Sequence, residues 1–247
     1  MRRLCLLLAL AGAVCHGPLQ AACSKAEFRL AIDIGHDVVN HGTTSARGEG
    51  EYWFNKRLAH RLLKTLRREG YHSAYILNDD DIVMPLYLRT REAGRKQADF
   101  LLSLHHDSAR EFLLSEWQYN GVRGLQGDRF SGHSIFVSRR NPYWEESLSF
   151  ATDLAHALLK DNLRPTLHHH GVGQRRIHDS TLGIYRYDPL IILHSARMPA
   201  VLFEGGVILN RDDELLLRSS RHQNRLIRGI QWALQEHLAR GCRARDG

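Results

Sequence analysis

Short apolar runs alternate with longer amphipathic segments along most of the chain, and this alternation restricts the possible folds more than any other feature. The first run, residues 28–34, contains β-branched residues and ends at Gly35 and His36, which is typical of a buried strand followed by a loop. In residues 51–69 an apolar side chain recurs every four positions before Gly70. This spacing predicts a helix with one apolar face.

The alternation continues to about residue 240. Further strands are predicted at 73–77, 100–105, 133–138 and 199–206, and further helices at 85–97, at 143–160 and over a long segment that ends near 240. Strands that alternate with helices predict an α/β fold, a single three-layer domain with a mostly parallel twisted sheet and helices on both faces. Ligands of such sheets bind beyond the carboxyl ends of the strands.

Two polar stretches interrupt the alternation, at residues 108–131 and 164–188. Both are predicted to be long loops, which are uncommon unless they are functional. The second stretch contains His168, His169 and His170. Such a tract could bind a metal, but the sequence favours a solvated segment.

The first 26 residues have the pattern of a secretory signal peptide. Arg2 and Arg3 precede an apolar run, and small and polar residues then follow as far as Ala26. The apolar run is shorter than the roughly 20 residues that span a membrane. We therefore expect an exported, periplasmic protein without a transmembrane segment, a mature monomeric domain over residues 27–247, and a lipid anchor at Cys23 as an alternative to simple cleavage.

Charge and motif content exclude several functional classes. The net charge of +7 is small and the basic residues are scattered, which argues against a nucleic-acid partner. The sequence contains no G-x-G-x-x-G motif, no P-loop and no G-x-S-x-G motif. It therefore favours neither nucleotide chemistry nor the serine hydrolases that carry such a motif.

Polar side chains stand where predicted strands end, and they are of the types that bind metals. His36 and His105 follow or close two of the strands, and imidazole and carboxylate groups that converge on one sheet edge are the donors that catalytic zinc takes. Glu51 would be a third ligand at the start of the first helix, with a helix-capping role as the alternative. Because neighbouring strand residues point to opposite faces, at most one of His105 and His106 enters a given site.

Glu204 is an acidic residue inside an apolar strand segment. Burial there would raise the pKa of its carboxyl group, which suits a general base beside a metal. The alternative is a structural glutamate that pairs with Arg89 or Arg197.

At these positions the chain resembles the zinc-dependent N-acetylmuramoyl-L-alanine amidases of the amidase-3 type, which cleave bacterial peptidoglycan. The similarity extends from about residue 28 to residue 237. It is carried by IDIGH at 32–36, EYWFN at 51–55, the spacing of Leu86, Arg89 and Ala93, SLHHD at 103–107 and MPAVLFEGGVILNRDDE at 198–214. The chain departs from the usual family pattern at Asp37, Val38, Gly94, His106 and Asp107.

The resemblance implies a zinc hydrolase that cleaves the amide bond between MurNAc and L-alanine. It implies that His36, Glu51 and His105 bind Zn²⁺. It also implies that Glu204 takes a proton from water and returns it to the leaving amine. Peptidoglycan is the expected partner.

Four further residues are candidate substrate-binding groups: Arg89, Arg197, Asn55 and His106. Either arginine would hold carboxylates of the stem peptide or brace Glu204. Two alternatives to the amidase stay open, namely a metallopeptidase that cleaves stem-peptide bonds with the same ligands, and a non-catalytic periplasmic protein that binds the wall or zinc.

Regulated division amidases of this family carry an inhibitory helix after the strand that corresponds to residues 133–138. Here only residues 139–142 separate this strand from the next predicted helix, which is too short for such a helix. The spare length lies in residues 108–131, where Trp117, Tyr119 and Phe130 would line a glycan groove or form a lid. The sequence therefore predicts hydrolysis without an activator.

Overall fold

The computed structural model describes residues 24–79, 81 and 83–241, so the predicted signal peptide up to residue 23 and its possible lipid anchor lie outside the described residues. The strands are β1 (Leu30–Ile34), β2 (Tyr75–Ile76), β3 (Phe100–Asp107), β4 (Ser115–Tyr119), β5 (Val122–Gln126), β6 (Ser134–Val137), β7 (Arg176–Asp179), β8 (Ile184–Arg186) and β9 (Ala200–Val207). The helices are α1 (Glu51–Arg68), α2 (Leu86–Arg95), α3 (Trp144–Lys160), α4 (Ile191–His194), α5 (Arg211–Arg218) and α6 (Ser220–Ala239).

A seven-stranded sheet in the order β2-β1-β3-β9-β6-β8-β7 forms the centre of the domain. β2, β1, β3 and β9 are parallel to one another, and so are β6 and β8. Antiparallel pairs join β6 to β9 and β7 to β8. The predicted α/β class with a mostly parallel sheet is confirmed, and the carboxyl ends of β1, β3 and β9 meet at one edge of the sheet.

The helices cover both faces of the sheet because strand side chains alternate between two apolar cores. Leu104 and Phe203 enter the core that is shared with α1, α3, α5 and α6. Leu101 and Leu202 enter the core that is shared with α2 and α4. Burial of each such side chain contributes about 1.5–3 kcal/mol. Among the residues that the structure describes, no helix combines the length and the apolar character needed to span a membrane.

The prediction of a long loop over residues 108–131 is wrong. A 3₁₀ helix (Glu111–Leu113) is followed by an antiparallel hairpin of β4 and β5. Asn120 and Gly121 join the two strands, and both have positive φ angles, of 50° and 79°. An Asn-Gly pair between short alternating segments favours such a two-residue hairpin turn, so the signal was present in the sequence.

The second predicted loop, residues 164–188, is also partly wrong. Its second half forms β7 and β8, which extend the central sheet beyond β6. Each of these strands has at most four residues, which is too short for a periodic pattern to be recognised.

Candidate metal centre

The backbone after β1 is held in an unusual conformation by a buried arginine. His36 has a φ of 67°, and this left-handed conformation costs about 1–2 kcal/mol in a residue with a side chain. The Arg89 guanidinium donates to the carbonyl oxygens of Ile34 and His36, each at 2.7 Å. It also pairs with the Asp33 carboxylate at 3.1 Å. Arg89 therefore fixes the turn that presents His36.

The three predicted ligands meet beyond the ends of β1 and β3. His36 Nε2 lies 3.0 Å from Glu51 Oε2, and His105 Nδ1 lies 2.9 Å from Glu51 Oε1. One ligand atom from each residue lies within 4.8 Å of those of the other two. A tetrahedral zinc ion with bonds of about 2.0–2.2 Å separates its ligand atoms by about 3.3–3.6 Å. Small side-chain shifts thus bring all three groups to a single ion.

The Glu51 carboxylate is oriented by donors from several segments. Oε1 accepts from the Asn55 side chain at 3.2 Å and from the backbone N–H of His106 at 3.3 Å. Oε2 accepts from the backbone N–H of Thr43 at 3.3 Å. None of these donors is a backbone amide of α1, so Glu51 faces the two histidines instead of capping its helix.

Two glycines allow the ligands to pack this closely. A Cβ atom at Gly35 would lie 2.4 Å from the His105 imidazole. A Cβ atom at Gly42 would lie 2.5 Å from Glu51 Oε2 and 2.6 Å from the His36 ring. Gly42 also has a φ of 74°, which disfavours any other residue. Larger residues at these positions would displace the ligands.

The ionisation of Glu51 suits a cation site. Burial disfavours the charged carboxylate, but hydrogen bonds with His105 and His36 outweigh this effect and hold the pKa of Glu51 well below its usual range. An ionised carboxylate between two imidazoles provides the N and O donors that zinc accepts. The residues present therefore fit a zinc ion.

Glu204 lies on β9 directly opposite His105 of β3. Its Oε2 atom is buried and has no hydrogen-bond partner among the described residues. Burial raises the pKa of Glu204 well above its ordinary value, and the negative charges of Asp107 and Glu51 raise it further. An unpartnered buried carboxyl group is costly unless a cation or a bound molecule compensates it, and such groups cluster at functional sites.

A cleft of about 300 Å³ opens at these side chains. Besides the three predicted ligands and Glu204, its lining includes polar groups that were not predicted as site residues: Asp107, His169 and Arg175. Asp107 could have been found from the sequence, since it follows His105 at the same strand end. Arg175 could not, because it arrives from a distant segment.

Arg89 and Arg197, the two arginines predicted to bind substrate, are absent from the described lining of the cleft. Arg89 is 2% exposed and binds the turn after β1, so its guanidinium is not available to substrate. Arg197 is exposed and precedes β9, which places it at the opposite edge of the sheet from Glu204. Among the described residues Arg89 pairs with Asp33, and Glu204 Oε2 has no hydrogen-bond partner.

Asn55 and His106 lie behind Glu51. His106 Nδ1 is 2.7 Å from Asn55 Oδ1, and the Asn55 amide reaches Glu51. The His106 ring packs against Phe54 of α1, on the opposite face of β3 from His105, as strand alternation predicts. Burial lowers the pKa of His106 to about 3, so the ring is neutral and serves to position Glu51.

The prediction of a solvated histidine tract is wrong for two of its three members. The side chains of His168 and His169 are only 4% and 11% exposed, and both face Asp107. His170 is exposed, as predicted. Both imidazoles are buried because they lie beside the Asp107 carboxylate. The sequence alone does not show that Asp107 comes close to these histidines.

A second cavity, of about 750 Å³, lies beside the first. It is bounded by the β4–β5 hairpin and residues 43–48, and Thr43 lines both spaces. Trp117 connects the hairpin to the loop before α1, because its Nε1 donates a hydrogen bond to the carbonyl oxygen of Ala46 at 2.8 Å. The hairpin strands are absent from the described lining of the cleft, so they lie next to it and not over it.

The chain is similar to known proteins over most of its length. The Amidase_3 family model, described as N-acetylmuramoyl-L-alanine amidase, matches residues 30–236. The N-acetylmuramoyl-L-alanine amidase AmiC of Escherichia coli is 22% identical over 86% of this chain. The match covers 53% of AmiC, so the chain spans about half the length of that relative. A putative N-acetylmuramoyl-L-alanine amidase of Buchnera aphidicola is 22% identical, with 87% of this chain and 96% of the relative covered.

Solved structures share the fold. The N-acetylmuramyl-L-alanine amidase Ami1 of Mycobacterium smegmatis superposes with a TM-score of 0.69 at 18% identity, covering 88% of this chain and all of the other. An N-acetylmuramoyl-L-alanine amidase of Clostridium difficile 630 gives a TM-score of 0.67 at 19% identity, with 87% and 98% covered. These similarities confirm the predicted family and the predicted class of fold.

Proposed function

Because this chain belongs to the Amidase_3 family of N-acetylmuramoyl-L-alanine amidases, we propose that it hydrolyses the amide bond between MurNAc and L-alanine of peptidoglycan with a Zn²⁺ ion held by His36, Glu51 and His105. The observation that carries the zinc assignment is the convergence of one carboxylate and two imidazoles within 4.8 Å. When bound, Zn²⁺ supplies Lewis acidity, which acidifies water and polarises a carbonyl oxygen.

Glu204 is the proposed general base. Its carboxyl group lies across the strand pair from the ligand His105 and lines the same cleft as the three ligands. Since Oε2 has no partner within the part of the chain that the structure describes, this atom is available to take a proton from the attacking water. Such a positioned base contributes about 10²- to 10⁴-fold to the rate.

The same carboxyl group serves as the acid in the second half of the reaction. Once protonated, Glu204 carries the proton that the departing L-alanine nitrogen needs, because cleavage of the C–N bond leaves an amine. Burial and nearby carboxylates raise the pKa of Glu204, and a cation held by the neighbouring ligands would oppose that rise, so the same group serves first as the base and then as the acid. One buried carboxyl group therefore moves the proton in both directions.

Asn55 and Arg89 position the metal ligands and do not contact the substrate. Asn55 orients Glu51 through its side-chain amide, and Arg89 fixes the left-handed turn at His36. Outer-shell contacts of this kind contribute about 10- to 100-fold to metal affinity.

Product analysis separates this activity from the alternative peptidase. Purified peptidoglycan digested by the zinc-loaded protein should release complete stem peptides with a free L-alanine amino terminus, and leave glycan strands whose MurNAc lactyl groups carry free carboxylates. Mass spectrometry of the soluble products measures both. New amino termini at other stem-peptide residues, with the MurNAc to L-alanine bond intact, would assign the cleft to a peptidase.

We also propose that the protein needs no activator. β6 is followed by α3 after only six residues, 138–143, and the β4–β5 hairpin lies beside the cleft. The purified domain from residue 27 should therefore release stem peptides at a rate that does not rise when residues 109–130 are replaced by a short Gly-Ser linker. The rate of dye release from labelled peptidoglycan tests this. An inactive domain that gains activity on shortening would identify the hairpin as an inhibitory lid.

The apolar leader supports export, so the proposed place of action is the periplasm, where peptidoglycan lies.

A further inference from the structure

A second group of potential metal ligands reaches the same cleft through two of its three members and shares no residue with the first. Asp107 closes β3, while His168 and His169 lie in the connection between α3 and β7. His169 Nε2 is 2.6 Å from Asp107 Oδ2, and His168 Nε2 is 3.6 Å from the same oxygen. One ligand atom from each residue lies within 4.8 Å of those of the other two.

The geometry of this group parallels that of His36, Glu51 and His105. In each case two imidazole nitrogens approach one carboxylate that is almost fully buried. The 3.6 Å separation of His168 and Asp107 already equals the spacing of about 3.3–3.6 Å between ligands of a tetrahedral zinc ion. The shorter contact of His169 is a hydrogen bond that would lengthen by about 1 Å as a metal replaces the proton.

The atoms of His168 and Asp107 that face away from the group form hydrogen bonds with neighbouring residues, as is usual for metal ligands. His168 Nδ1 lies 2.8 Å from the Thr166 hydroxyl, which leaves Nε2 for the site. Asp107 Oδ1 accepts from the backbone N–H of Ser108 at 2.7 Å, which leaves Oδ2 facing the imidazoles. Metal-binding histidines and carboxylates are usually oriented by such outer contacts.

Packing fixes the imidazole rings as well. The His168 ring lies 5.0 Å from the Phe130 ring, and the His169 ring lies 5.2 Å from that of Phe136. The centroids of the two imidazoles are 4.1 Å apart. A site whose ligands are locked by packing loses little side-chain entropy on binding.

We propose that Asp107, His168 and His169 form a second site for a divalent transition metal of the zinc class. Imidazole together with carboxylate favours such ions over Mg²⁺ or Ca²⁺, which prefer oxygen ligands. His168 Nε2 is also 2.8 Å from the Ser108 carbonyl oxygen, and the metal takes the place of that hydrogen bond. His169 and Asp107 line the cleft, so the ion has a path of entry.

Zinc stoichiometry tests the proposal. The mature protein, stripped with a chelator and titrated with ZnCl₂ against a competing dye-chelator of micromolar affinity, should bind two zinc ions per chain. His169→Gln and Asp107→Asn should each bind one. His36→Ala should also bind one, because it removes the first site alone. His170→Ala is the matched control, since this exposed neighbour should leave the stoichiometry at two.

If the wild type binds one zinc ion per chain and His169→Gln also binds one, the proposal is overturned. The group is then an ion pair between Asp107 and the histidines. Circular dichroism shows whether each variant is folded, and Asp107→Asn, which keeps the side-chain volume, covers the case in which His169→Gln unfolds. The outcome is separate from that of the proposed hydrolysis. A chain that binds one zinc and cleaves peptidoglycan contradicts only the second site, whereas a chain that binds two and cleaves nothing contradicts only the amidase.

Discussion

Chelation should reduce the release of stem peptides from peptidoglycan to background, and stoichiometric Zn²⁺ should restore it. The reason is that the three side chains that meet in the cleft, His36, Glu51 and His105, are arranged around one point and supply no nucleophile of their own. Dye release from labelled peptidoglycan, measured alongside zinc content, follows both steps. Full activity in protein shown to be free of metal would contradict the zinc site.

Neighbouring histidines provide the matched variants for this experiment. His105→Ala removes a ligand and should lose the zinc held with His36 and Glu51, together with the activity. His106→Ala should keep bound zinc with an affinity lowered by about 10- to 100-fold, because the His106 ring acts through Asn55 on Glu51. His60→Ala, on the exposed side of α1, should change nothing. If His106→Ala loses the zinc held with His36 and Glu51 and His105→Ala retains it, the ligand assignment is shifted by one residue.

Glu204→Gln should lower turnover by about 10²- to 10⁴-fold while the protein keeps its fold and its zinc. Glutamine has nearly the same volume and still meets the polar cleft, but it cannot accept a proton from water. Because the carboxyl group of Glu204 has an unpartnered oxygen, its replacement breaks no hydrogen bond of that atom, and the melting temperature should not fall. Glu116→Gln, in the exposed hairpin, is the control.

Turnover of Glu204→Gln within a few-fold of the wild type would assign Glu204 to structure. A drop in zinc content in the same variant would make it a ligand instead. Zinc analysis and a thermal melt on the same preparation distinguish these outcomes from a loss of the base.

The sequence allowed the fold and the position of the candidate site to be predicted because both depend on strands. β1, β3 and β9 are largely apolar, and His36, His105 and Glu204 lie at or near their carboxyl ends, so parallel pairing alone brings these three residues to one edge. Alternation along β3 also predicted that the two neighbouring histidines point to different sides: the His106 ring packs against Phe54 of α1, although both His105 and His106 line the cleft. Glu51 could be predicted as a third ligand because it begins the first helix, which follows the loop after His36.

Contacts between distant segments could not be predicted in the same way. Arg89 has the side chain of an anion-binding residue, but the structure uses its donors for carbonyl groups near His36. His168 and His169 have the composition of a solvated tract, yet they are buried because their segment crosses the sheet edge at Asp107. Nothing in the local sequence encodes these approaches.

A crystal structure of the zinc-loaded protein, with anomalous diffraction recorded on both sides of the zinc absorption edge, tests the metal centre most directly. We expect an anomalous peak within about 2.0–2.2 Å of His36 Nε2, a Glu51 carboxylate oxygen and His105 Nδ1. Zinc bound elsewhere, with these three side chains free of metal, would contradict this assignment.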